Sequence, residues 1–380
     1  MKIIKGTVTA PQGFQSHGVW CGIKKSGKPD LALIFSKVPA VASAVFTKNS
    51  VKAAPLVLSQ KHLRAKKARA IVCNSGNANC FTGDFGMIYA ARTAEIVAQL
   101  LGVKKEEVVV ASTGIIGKPL PFQKIADGAP ALVSGLGQDK KSLAAKAIMT
   151  TDTFVKEIAV ETIIGGKKVK VAGCAKGSGM IAPNMATMLG FITTDAAIDA
   201  PSLSLVLKEV TEQTFNSITV DGCTSTNDMV VVLANGLAGN KIIAAKGKDY
   251  EEFRAALYQI ALDLSLKIVK DGEGAQRLIT VNVQGAKTQQ QARRIGLAVA
   301  NSNLVKTANY TDKPNWGRVA QAIGSLGIAR LDETNMKIGF KCDNKKDITI
   351  WVTLGLGEEE ATVYTCDLTA EYVRINGEYT

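Results

Sequence analysis

Histidine is almost missing from this chain. His17 and His62 are its only two, and neither stands in the spacing of a catalytic triad or a metal site, which excludes a histidine-dependent hydrolase and a histidine-ligated zinc enzyme. The seven cysteines, Cys21, Cys73, Cys80, Cys174, Cys223, Cys342 and Cys366, are odd in number, widely spread and never arranged as Cys-x-x-Cys. A disulfide framework and a cysteine-rich zinc site are therefore excluded as well. No apolar run approaches the ~20 residues of a membrane helix, and Met1-Lys-Ile-Ile-Lys5-Gly6 has no long apolar stretch leading to a cleavage site. The expectation is a cytoplasmic protein without a membrane partner. Gly-x4-Gly-Lys-Ser/Thr is absent, so the glycine-rich segments do not read as a nucleotide phosphate loop. Fixed-period repeats and low-complexity tracts are absent too.

What the chain does hold is apolar content and positive charge. With 380 residues, 46% of them hydrophobic, it can bury a large core, and its length suits two or three domains. Its 46 basic against 33 acidic residues give a net charge of +13. Lysine pairs such as Lys24-Lys25, Lys66-Lys67 and Lys345-Lys346 are scattered instead of gathered in one tract or interleaved with aromatics. The charge is read as a surface that attracts anionic metabolites, with no nucleic-acid partner. A nonenzymatic polyanion-binding protein is the rival reading from outside the enzymes.

Strand-like runs alternate with amphipathic helical ones. Leu31–Phe35 and Ala68–Cys73 read as strands, the second entering a polar loop, Asn74-Ser-Gly-Asn-Ala-Asn79. Met87, Ala91, Ala94, Ala98 and Leu101 keep helical spacing up to Gly102, a helix-ending residue. Val108–Ala111 reads as a buried strand that stops at a Ser112-Thr113-Gly114 loop. Phe154–Ile164 and Lys167–Ala172 form a hairpin across Gly165-Gly166. Further strands are expected at 188–193, 278–283, 348–354 and 361–368, the last two ending the chain, and helices after Asp199 and around 253–264. This order without regular βαβ alternation predicts an α/β fold of the α+β type: layered, mixed sheets flanked by helices.

One segment carries chemistry. Lys176-Gly-Ser-Gly-Met-Ile-Ala-Pro-Asn-Met-Ala-Thr187 sets the small residue Ala186 before a threonine at mid-chain. An N-to-O acyl shift from Ala186 to the Thr187 hydroxyl, followed by hydrolysis, would free Thr187 as a new N-terminus. Its α-amine, with an ordinary pKa of about 7.7–8.0, would then act as base to its own hydroxyl. The same glycines would equally serve a loop with no chemistry. Thr113-Gly114, after a buried strand, suits an oxyanion-stabilising pair, or a plain strand-ending turn.

These residues resemble the glutamate N-acetyltransferase family, also called ornithine acetyltransferases, of arginine biosynthesis. The likeness runs over almost the full length and includes Phe46-Thr47, Asn74–Asn79, Ser112–Gly114, Asp221-Gly-Cys-Thr-Ser-Thr-Asn-Asp228, Asp271-Gly-Glu-Gly-Ala275 and Pro314-Asn-Trp-Gly-Arg318. The resemblance implies cleavage between Ala186 and Thr187 into an α chain, 1–186, and a β chain, 187–380, associated as α2β2 or larger. It implies Thr187 as nucleophile, Thr113 and Gly114 as the oxyanion pair, and substrate binding by Thr150, Lys176, Thr187, Glu273, Asn376 and Thr380, although the tail is one residue shorter than is usual in the family. The implied substrates are N-acetyl-L-ornithine and L-glutamate, with no metal or organic cofactor and acetyl-CoA as an optional second donor. The implied fold is that of the self-processing aminopeptidases, so an aminopeptidase or amidohydrolase is the alternative enzyme.

Overall fold

The computed structural model describes residues 1–182, 188–310, 313–329, 331, 333–343 and 347–378. Its strands are β1 (Lys2–Ile4), β2 (Phe14–Val19), β3 (Leu31–Phe46), β4 (Lys67–Asn77), β5 (Val108–Ile115), β6 (Lys156–Ile164) and β7 (Lys167–Lys176). They continue with β8 (Leu189–Thr194), β9 (Met229–Ala234), β10 (Leu278–Ala286), β11 (Lys337–Asp343), β12 (Asp347–Thr353) and β13 (Glu359–Cys366). The chain divides into two compact units. Among the described residues the larger takes 1–177, 188–212 and 225–264, and the smaller takes 178–182, 213–224 and 265–378.

In the larger unit nine strands are hydrogen-bonded in the order β1-β6-β7-β8-β9-β3-β4-β5, with β2 also on β3. Pairing is mixed: β4–β5 and β8–β9 are parallel, the other pairs antiparallel. Strand β3 is the hinge of this arrangement. Its first half pairs with β2 and β4, the register shifts between Phe35 and Ala40 at Pro39, and its second half, Val41–Phe46, pairs with β9. Proline cannot donate to a ladder, so the break falls where the chain changes partners.

The break folds the strands into two facing layers. Ile34, Ile71, Cys73, Val109 and Ala111 of β3–β5 share one core with Cys174, Leu189, Phe191, Val231 and Leu233 of β7–β9. The other face of β3–β5, through Leu33, Val72 and Val110, packs on Ala94 and Val97 of helix Gly83–Leu101 and on Ile125 and Leu132 of helix Phe122–Ser134. Behind β7, Gly173 lies against Ile260 and Leu264 of helix Lys248–Lys270. The layering is helix, sheet, sheet, helix. Because both faces are covered, β8 and β9 are buried at every residue, as fully enclosed strands are.

The smaller unit has a four-stranded sheet, β11-β12-β10-β13, with β10–β12 parallel and the outer pairs antiparallel. Ile279, Val281 and Val283 of β10 pack with Ala292, Ile295 and Val299 of helix Gln289–Ala300. That helix is capped by Thr288, whose hydroxyl accepts from the Gln291 N–H.

The mixed, layered architecture agrees with the sequence reading, and several boundaries move. The Gly165-Gly166 hairpin forms as expected, both glycines at positive φ (54° and 77°) as a tight turn demands. Asp199 accepts from the Ser202 N–H and starts helix Ala200–Gln213. Helix Gly83–Leu101 ends at Gly102, φ 65°, but its buried face is Gly86, Ala90, Thr93, Ala94, Val97 and Ala98, not the stripe through Met87 and Ala91, which are exposed. Asn74–Asn77 and Ser112–Gly114, read as loops, lie in β4 and β5, the latter running on to Ile115, because each supplies the other's backbone partners. The chain does not finish in strands: helix Ala370–Glu378 follows β13.

Phe191, 1% exposed in the core between the two layers of the larger unit, tests this layering. Phe191→Ala should lower unfolding free energy by about 3–5 kcal/mol through the cavity it leaves, read from urea denaturation. Phe85→Ala, at a side chain 65% exposed, should change it by less than about 0.5 kcal/mol.

Candidate active site

The oxyanion candidates lie at the C-terminal end of β5, against β4. Ser75 is level with Thr113 and Gly76 with Gly114. The two glycines allow an approach that no side chain would: a Cβ on Gly114 would stand 2.4 Å from Gly76 C and 2.5 Å from Asn77 N, and φ at Gly114 is 133°. Glycine is therefore required at 114 for both space and conformation.

Asparagines lock this pair of strand ends. Asn74 Oδ1 accepts from the Ser112 hydroxyl at 2.6 Å, and its amide donates to Asn77 O at 2.9 Å. Asn227 donates to Ala78 O at 2.6 Å and to Ser112 O at 2.8 Å, and it is 5% exposed. Sequence reasoning gave the Asn74–Asn79 run to a turn, the commonest use of asparagine and glycine. What the amides do instead is satisfy buried carbonyls where two parallel strands run out of partners.

Lys176 ends β7 and is buried, and its Nζ donates to Thr113 Oγ1 at 3.2 Å. An ammonium has only protons to give, so the Thr113 hydroxyl accepts here and keeps its own proton for another acceptor. A cation and a hydroxyl donor thus stand side by side where water is largely excluded, an environment that strengthens both. Asp228, at the start of β9, is buried, and its Oδ2 has no hydrogen-bond partner among the described residues. Burial pushes its carboxyl well above the usual carboxylate range, against the pull of Ser225 and Lys176.

Thr150 follows helix Leu143–Ile148, and its N–H donates to Asp152 Oδ2 at 2.9 Å. Asp152 is fully buried and also accepts from Lys156 Nζ and from the Gly177 N–H, both at 2.7 Å. Burial alone would raise this carboxyl, but Lys176, Lys156 and the Gly177 N–H outweigh it and hold the group at about 2. Neither Asp152 nor Lys156 stood out in the sequence, where an aspartate and a lysine four residues apart in a non-helical stretch carry no signal.

The remaining candidates lie in the smaller unit. Asn376 Nδ2 donates to Glu273 Oε2 at 2.7 Å. Gly179 makes room for that carboxylate, since a Cβ there would meet Glu273 Oε2 at 2.3 Å. One turn earlier on the same helix, Tyr372 Oη donates to Asp221 Oδ2 at 3.4 Å, and Asp221 also accepts from the Met180 and Ile181 N–H groups. The last helix is thus fastened by two acidic loop residues. Ala186, Thr187 and Thr380 lie outside the described residues.

The model of the ArgJ family matches residues 15–380. The arginine biosynthesis bifunctional protein ArgJ of Symbiobacterium thermophilum is 46% identical over 100% of both chains. That of Geobacter sulfurreducens is 45% identical over 97% of this chain and 99% of its own. The solved ornithine acetyltransferase of Mycobacterium tuberculosis, in complex with ornithine, is 41% identical over 49% of this chain and 98% of that one, with a TM-score of 0.45. With the family model spanning nearly its whole length and relatives of this identity aligned end to end, the chain belongs to the ArgJ family of arginine biosynthesis.

Proposed function

We propose that the chain is an acetyltransferase that moves the acetyl group of N-acetyl-L-ornithine to L-glutamate through an acetyl ester on Thr187. The observation that carries this reading is the buried Lys176 Nζ to Thr113 Oγ1 hydrogen bond beside Gly114. It pairs a fixed cation with an oriented hydroxyl, the equipment that a tetrahedral oxyanion needs. Cleavage between Ala186 and Thr187 gives chains of 186 and 194 residues, which stay together as α2β2 or a larger assembly in the cytoplasm. Within the described residues no helix is long and apolar enough to cross a membrane.

The freed α-amine of Thr187 takes the hydroxyl proton as Oγ attacks the acetyl carbonyl. The Thr113 hydroxyl and Gly114 N–H donate to the resulting oxyanion, and Lys176 opposes its charge. Collapse breaks the amide bond; the α-amine returns the proton to the leaving nitrogen of ornithine, and the acetyl group remains on Thr187. The amino group of glutamate attacks this ester, the acetyl–Oγ bond breaks, the α-amine passes the proton taken from glutamate nitrogen to the departing Thr187 Oγ, and N-acetyl-L-glutamate leaves. Thr150, Lys176, Glu273, Asn376 and Thr380 hold the charged ends of the amino acids. No cofactor takes part in this cycle, because the protein carries the acyl group. The relatives' description as bifunctional supports acetyl-CoA as a second acetyl donor to the same threonine.

Denaturing electrophoresis should resolve two bands of similar size in place of one of 40.1 kDa, and end-group sequencing of one should begin Thr-Met-Leu-Gly. Thr187→Ala should remain whole and inactive; a whole yet active variant would refute the nucleophile assignment. Thr113→Val should lower kcat about 10²–10³-fold with little change in KM, as loss of one oxyanion donor does. Product analysis separates transfer from hydrolysis: acetylglutamate formed in step with ornithine supports the transferase, and free acetate in its place contradicts it. Supplying acetyl-CoA without acetylornithine tests the second donor.

A further inference from the structure

We propose that Lys24 and Asp152 are positioning residues that clamp the peptide group between Met149 and Thr150 and so set Thr150 and Lys176 in register for substrate. The inference rests on Thr150 and Lys176 being substrate-binding positions. The geometry uses both ends of one peptide plane. Its carbonyl, Met149 O, accepts from Lys24 Nζ at 2.6 Å, and its N–H, on Thr150, donates to Asp152 Oδ2 at 2.9 Å.

A peptide group is a dipole, negative at oxygen and positive at the N–H. A cation at the oxygen and an anion at the N–H favour a single orientation of the plane. Rotating the plane by half a turn would point the carbonyl at the Asp152 carboxylate and the N–H at the Lys24 ammonium, two repulsions in place of two charge-assisted hydrogen bonds. Met149 ψ and Thr150 φ are thereby fixed, and with them the direction in which the Thr150 side chain leaves the backbone.

Both clamping groups are anchored. Asp30, fully buried, accepts from the Cys21 and Lys24 N–H groups at 2.7 and 2.9 Å and shapes the loop that presents Lys24. The Lys24 ammonium also donates to Pro29 O at 2.9 Å. Asp152 extends the clamp to the second substrate segment: its Oδ1 accepts from the N–H of Gly177, the residue after Lys176. Lys156, at 2.7 Å and fully buried, balances its charge. One carboxylate therefore ties together two backbone segments, each next to a substrate-binding side chain. Burial pushes the Lys24 ammonium down to about 8, against Asp30, which keeps it mostly protonated at neutral pH.

The test is steady-state and burst kinetics on the cleaved holoenzyme with N-acetyl-L-ornithine and L-glutamate. Variants are Lys24→Met, Lys24→Arg, Asp152→Asn and Asp152→Asn/Lys156→Met, with Thr150→Ala and Lys176→Ala as references. Lys24→Met and Asp152→Asn should lower kcat/KM about 10- to 100-fold, as misplacement by about an ångström does, chiefly through KM and with the wild-type burst amplitude. Lys24→Arg should recover most of the loss, because it keeps a charged donor. If Asp152→Asn fails to fold because Lys156 loses this carboxylate, the half-buried Lys24 and the charge-neutral double variant decide the matter. Folded Lys24→Met with unchanged KM, while Thr150→Ala raises it, overturns the clamp and leaves the site assignment standing. Unchanged KM in Thr150→Ala and Lys176→Ala removes the site assignment, and the clamp with it.

Discussion

A strand shared by two facing layers of one sheet cannot stay straight, and the candidate site of this protein depends on that constraint. Between β7 and β5 in the hydrogen-bonding order stand β8, β9, β3 and β4. In a flat sheet five steps of about 4.8 Å would put those two strands about 24 Å apart, far beyond the reach of one lysine side chain. Lys176 Nζ is nonetheless 3.2 Å from Thr113 Oγ1. The register shift of β3 around Pro39 closes that distance by folding β3–β5 over β7–β9. The apolar core between the layers, from Ile34 to Leu233, makes the fold-over favourable, since each strand pair gains a second buried face.

The polar groups at the layer edge are then held in a water-poor place, and each has an answer to that problem. Asp152 stays charged because two lysines and a backbone N–H face it. Asp228, with less to oppose burial, is pushed the other way, above the usual carboxylate range. Two aspartates of the same ordinary pKa are thus shifted in opposite directions, set by their surroundings and not by their identity. Asn74 and Asn227 perform the uncharged version of the same task on the carbonyls of β4 and β5.

In the smaller unit the last helix supplies the comparable order. Tyr372 and Asn376, four residues apart and so on one helical face, reach Asp221 and Glu273. The Asp271–Gly274 loop approaches the same helix so closely that a Cβ on Gly274 would meet Tyr372 N at 2.6 Å. That explains the glycine after Glu273, while a Cβ on the glycine before it, Gly272, would meet Cys366 Sγ at 2.9 Å.

By itself the sequence determined the mixed layered class, the Gly165-Gly166 hairpin, and the caps at Asp199 and Gly102. The turn and the caps are legible because each is a local preference: glycine at positive φ, aspartate at a helix start. Only the tertiary structure decided that Asn74–Asn77 and Ser112–Ile115 are strand, that Met87 faces outward, that a helix follows β13, and that Asp152, Lys156, Lys24, Asn227 and Asp228 surround the candidate site. Those outcomes hinge on partners far away along the chain. A carboxylate or an amide has no fixed role until folding chooses which donors and carbonyls it will meet, and burial makes that choice binding.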